Sequence, residues 1–109
     1  MRSLEGSKGS QGPLHMRLVG LILLWEFAKD HADVRSQIGA WISEVKDSTW
    51  RTPTDVKARF PTASFLRDNR VIFNLKGNRY RIDTKISYET QVVLVKRIGT
   101  HEEYTKWTF

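Results

Sequence analysis

Apolar residues recur along this chain with two different periods, and the change of period divides it into a helical half and a sheet half. Val34, Ile38, Trp41, Ile42 and Val45 fall at i, i+4, i+7, i+8 and i+11, one apolar stripe that predicts a helix of three turns. Ahead of it, Met16–Gly20 reads as a short strand, and Leu21, Leu24, Trp25 and Ala28 recur at helical spacing up to His31. Thr52-Pro53-Thr54-Asp55 offers a capping hydroxyl, a proline at the first helical position and an acid near the positive helix end. These residues start a short third helix, anchored by Val56 and Phe60 and stopped by Pro61.

After Pro61 the period becomes two. Val71, Phe73 and Leu75 alternate with Ile72 and Asn74, and Lys76-Gly77-Asn78 supplies residues that tolerate positive φ, as a hairpin turn needs. In the next strand Tyr80, Ile82, Thr84, Ile86 and Tyr88 share one face, while Arg79, Arg81, Asp83, Lys85 and Ser87 share the other. One face is expected to be buried and the other charged. A turn at Glu89-Thr90 leads into Gln91–Gly99, and a two-residue turn there sets Asp83 opposite Lys96 and Arg81 opposite Ile98. Thr100 and Glu103 form a capping box for a last helical turn. The fold class is α+β, β-α-α-(α)-β-β-β, with two to three helices packed on an antiparallel sheet.

Composition narrows the class of molecule. With 109 residues and 39% hydrophobic side chains, the chain supports one core, and its four Trp, five Phe and three Tyr exclude a disordered polymer. It has no Cys, which removes disulfides, thiolate nucleophiles and Cys-bound metal together and agrees with a reducing, cytoplasmic setting. The eight-residue apolar run from Leu18 to Trp25 is far short of the roughly 20 residues that a bilayer requires, so no membrane is expected. Residues 1–15, rich in Gly and Ser and ending in Gly12-Pro13-Leu14-His15, read as an unfolded vector leader before a single domain over 16–109.

Charge separates the halves further. From Met16 to Ser48 there are four bases and five acids; from Thr49 to Phe109 there are twelve bases and six acids. The sheet half therefore presents a field that attracts phosphates.

At this point the phrases Arg70-Val-Ile-Phe-Asn74, Lys76-Gly-Asn-Arg-Tyr-Arg-Ile82, Lys85-Ile86 and Ile98-Gly-Thr-His-Glu-Glu-Tyr-Thr-Lys106, preceded by Trp50-x-Thr-Pro-x-Asp-Val-Lys-Ala-x-Phe-Pro61, carry a resemblance. The chain resembles the HigB toxins of the RelE-like superfamily, from Met16 to Lys106. The resemblance implies a RelE-like fold and a ribosome-dependent mRNA endonuclease that needs no metal or cofactor. It also implies partnership with a HigA-type helix-turn-helix antitoxin, through which alone the toxin would reach operator DNA. Two positions depart from the family's phrases: Asp83 stands where an apolar residue is usual, and Thr105 stands where Asp is common.

Cleavage of RNA without metal needs a base for the 2′-OH proton, a cation for the non-bridging oxygens and an acid for the departing 5′-oxygen. Arg81 and Lys85 lie on one strand face about 13 Å apart, suited to lining a phosphate track. Arg81 is the better clamp, because its fork matches a phosphoryl group. His101 brings histidine, the side-chain type whose ordinary pKa of about 6.5 suits proton transfer near neutrality, and Tyr104 three residues on would share its helix face. The expected catalytic set is thus Arg81, Lys85, His101 and Tyr104. Arg79, Asn74, Lys57, Arg59, Arg70 and Lys106 extend the RNA-binding surface. Two other readings stay open: the basic strand face is merely solvated, or the chain is a non-enzymatic RNA-binding module or a weakened toxin. Trp107 reads as a hydrophobic seal for the sheet edge. There is no Gly-rich phosphate loop, nucleophile elbow or His-rich cluster.

Overall fold

A computed structural model describes residues 15–109. The leader reading of 1–15 lies outside them except for His15. The elements run β1 (Arg17–Val19), α1 (Leu21–Asp30), a 3₁₀ turn (Ala32–Val34), α2 (Arg35–Lys46), α3 (Pro53–Arg59), β2 (Ser64–Phe65), β3 (Arg70–Leu75), β4 (Tyr80–Ser87), β5 (Val92–Thr100) and α4 (His101–Tyr104). The local signals explain most of these limits. Asp55 N–H donates to Thr52 Oγ1 and Thr52 N–H to the Asp55 carboxylate, closing the box at the start of α3, and the Thr100–Glu103 box starts α4 in the same way. In the β3–β4 turn positive φ falls at Lys76 (51°) and Gly77 (66°). Gly20 ends β1 at φ 98°, and a Cβ there would lie 2.8 Å from the Val95 carbonyl oxygen, so only glycine lets the chain pass so close to β5.

The sheet order is β1-β5-β4-β3-β2. The sheet is mixed, and this corrects the antiparallel expectation: β1 runs parallel to β5, with Arg17 beside Val92. A parallel neighbour needs a long crossover, and the whole stretch from α1 to β4 provides it. The two-residue β2, paired with β3, has too short an apolar pattern to be read from sequence.

One sheet face carries the helices. Val34, Ile38, Trp41, Ile42 and Val45, the stripe read from the sequence, are all buried against Phe73, Ile82, Ile86, Val93 and Val95. Trp41, Phe60 and Phe73 meet edge to face, with ring centroids 5.2 and 5.1 Å apart. Leu24 and Ala28 bring α1 into this core, whereas Trp25 stays exposed beneath the Arg35 guanidinium.

Candidate functional site

The opposite sheet face holds the chemistry. Its residues form a grid set by register: Asn74, Arg81 and Gly99 in one row, Ile72, Asp83 and Arg97 in the next, Arg70, Lys85 and Leu94 in the third. The β4–β5 pairing expected from sequence holds from Ser87 back to Thr84, then a bulge between Asp83 and Thr84 shifts it by one residue. Asp83 therefore faces Arg97 instead of Lys96, and Arg81 faces Gly99 instead of Ile98. The extra residue returns Ile98 to the core and turns Arg97 outward.

The outer face is not simply solvated. Asp83 is fully buried, with 0% exposure, and accepts from Arg70 Nε at 3.1 Å and Arg97 Nε at 2.7 Å, with a further ion pair to Arg70 Nη2. A lone carboxylate there would be costly; two guanidiniums make it tolerable. Asp83 thus pairs with arginines on the neighbouring strands, not with Arg81 and Lys85 on its own.

The C-terminal segment covers this row. Tyr104 lies over the Arg81 guanidinium at 4.8 Å, Trp107 over Arg97 at 4.4 Å, and Phe109 over both Arg97 (5.2 Å) and Arg70 (5.1 Å). Arg97 Nη2 also donates to the Thr108 carbonyl at 3.0 Å. Gly99 makes the close approach feasible, because a Cβ would come within 2.8 Å of both Glu103 Oε1 and the Trp107 ring. Trp107, expected to seal the sheet edge, lies on an arginine of the sheet face.

The residues expected to form one catalytic set are divided between two places. Arg81 is only 8% exposed and donates to the Asn78 carbonyl. His101 opens α4 and lines a cleft of about 260 Å³ with Arg79, Tyr80, Thr100 and Glu102; its ring lies 6.4 Å from that of Tyr104. Lys85 sits at the other end of β4, in a cleft of about 550 Å³ floored by Val92 and Leu94. Arg81, His101 and Tyr104 are therefore neighbours, and Lys85 is apart from them.

The surrounding polar and cationic side chains are partly committed. Asn74 donates to the Thr62 carbonyl at 3.0 Å, Lys57 to the Ala63 carbonyl at 3.2 Å, and Arg59 pairs with Glu44. Arg79 is 69% exposed and within 3.8 Å of Asp33, while the Lys106 side chain is exposed. Below the His101 cleft, Tyr80 OH donates to both carboxylate oxygens of Asp33 at 2.9 and 2.8 Å. This bond, reinforced by Lys76, holds the Asp33 carboxyl below its ordinary range and pushes the Tyr80 phenol above its own. Among the described residues, no group of three or more His, Asp or Glu converges as metal ligands would.

Arg97 was the residue missed. Its signal was present: Lys96-Arg97 breaks the alternation of Val93 and Val95 with two successive polar positions, the mark of an inserted residue.

Helices on one face of a mixed sheet, with paired arginines on the other, make an α+β protein consistent with the RelE-like toxin fold. Residues 34–107 match the HigB toxin family, the RelE-like toxic component of a toxin–antitoxin system, and the chain belongs to that family. It is 24% identical over 95 residues to the mRNA interferase toxin HigB of Escherichia coli (strain K12), covering 85% of this chain and 91% of that protein. The mRNA interferase HigB of Escherichia coli O157:H7 and that of Shigella flexneri match equally. Membership implies an antitoxin partner. Among the described residues, no helix is long and apolar enough to cross a membrane.

Proposed function

We propose that this toxin is an mRNA endonuclease acting on ribosome-bound message in the cytoplasm, neutralised by a HigA-type antitoxin. The observation that carries the reading is the corner where the Arg81 guanidinium lies 4.8 Å under the Tyr104 ring, with His101 on the rim of the adjoining cleft. The names of the curated relatives support the same substrate.

In this reading the 2′-oxygen attacks phosphorus, its proton passes to a base, and the 5′-oxygen leaves with a proton from an acid, giving a 2′,3′-cyclic phosphate. Arg81 holds the non-bridging oxygens, His101 and Tyr104 divide the proton transfers, and Arg79 and Lys106 meet the flanking phosphates. Lys85 and Arg70 bind the message further along the strand.

The test is induction in a bacterial host lacking the antitoxin, which should arrest growth and cut transcripts. Unchanged growth with intact transcripts overturns the reading. Arg81→Lys, which keeps charge but loses the fork, should relieve toxicity while the protein still folds and binds antitoxin. The distance of Lys85 from the Arg81–Tyr104–His101 corner favours a second reading, a non-enzymatic module that binds RNA along the sheet face. In that case His101→Ala and Tyr104→Phe leave toxicity untouched.

A further inference from the structure

We propose that Trp107–Phe109 is a displaceable cover over the outer sheet face, one that single-stranded RNA replaces when it binds there. The inference rests on the reading of the chain as acting on RNA, but it requires no cleavage.

Four cations, Arg70, Arg81, Lys85 and Arg97, project from one face of β3, β4 and β5, around the single carboxylate of Asp83. Asp83 pairs with two of them, so the row keeps a net positive charge under an apolar cover. Three of the four cations are capped by an aromatic ring belonging to the chain itself. A ring laid on a guanidinium is also how proteins stack the bases of single strands. Trp107 and Phe109 thus occupy positions where nucleobases fit. Neither ring belongs to the core, and Phe109 is 52% exposed, so both can leave without disturbing it once the Arg97–Thr108 hydrogen bond is exchanged for another acceptor.

The cleft beside Lys85 points the same way. It opens on the outer face at the end of β4, lined by Lys85, Val92 and Leu94. Arg70 shares a row with Lys85, so lifting the last residues would extend this cleft over Arg70 and Arg97. Phosphates would replace the Thr108 carbonyl on Arg97, and bases would replace the rings.

The probe is a short fluorescein-labelled 2′-O-methyl RNA, whose blocked hydroxyl cannot attack, read by anisotropy at two salt concentrations. Removal of Trp107–Phe109 and the full-length double variant Trp107→Ala/Phe109→Ala should each bind it at least about threefold more tightly, with a salt dependence steeper by about 0.7 per phosphate gained. In the unaltered chain, the RNA should speed release of Phe109 by carboxypeptidase several-fold. Unchanged or weaker binding by both variants with native circular dichroism, or slower release of Phe109, overturns the inference. Tighter binding by the variants without any transcript cleavage in cells keeps the inference and refutes the nuclease.

Discussion

The two faces of the sheet are closed by different physics. On the helix face, Trp41, Phe73, Ile82 and Val93 exclude water by area alone, each worth about 1.5–3 kcal/mol on burial. On the other face, Asp83, Arg70 and Arg97 are shielded by their own pairing and by aromatic rings laid on the guanidiniums, contacts worth about 0.5–1 kcal/mol apiece where exposed. The first closure has no ready substitute. The second is made of contacts that phosphate oxygens and bases can replace, so stability is concentrated on one face and recognition on the other.

The largest effect should come from the helix face. Phe73→Ala removes the ring shared by Trp41, Trp50 and Phe60 and should cost about 3–5 kcal/mol in urea unfolding. Asp83→Ala tests the other closure by leaving two guanidiniums unpaired. Because Arg97 remains within reach of water, the loss should be about 2–3 kcal/mol, and equality with Phe73→Ala would erase the distinction between the faces. Gly99→Ala sharpens the comparison, since the added methyl meets Glu103 and Trp107 and nothing of the core. It should cost about 1 kcal/mol while making tryptophan fluorescence more accessible to iodide.

The smallest effect concerns pH. The Asp33 carboxyl is held below its ordinary 3.8, so its tie to Tyr80 stabilises the fold above that value and is lost as pH falls through the lowered one. The Tyr80 phenol is raised above 10.0, so the same tie holds below that pH and is lost as pH rises through the raised value. Melting temperatures of Tyr80→Phe should accordingly differ most from the unaltered chain between these limits and converge with them outside.

Much of the fold was legible because its signals are local. The α2 stripe, the two capping boxes and the Lys76-Gly77 turn each depend on residues within a few positions, where spacing along the chain and spacing in space agree. The same locality made Arg81, Asp83 and Lys85 recognisable as one strand face, and His101 and Tyr104 as one helical turn.

What the amino-acid order could not decide was which of these local units meet. A single inserted residue in β5 sets Arg97 beside Asp83, and five residues after α4 turn back across the sheet to lay Trp107 on Arg97 and Phe109 on Arg70, far back in the sequence. Register and chain reversal are settled by the sum of many remote contacts, so Arg81 joins His101 and Tyr104 while Lys85, on the same strand face, opens into a separate cleft.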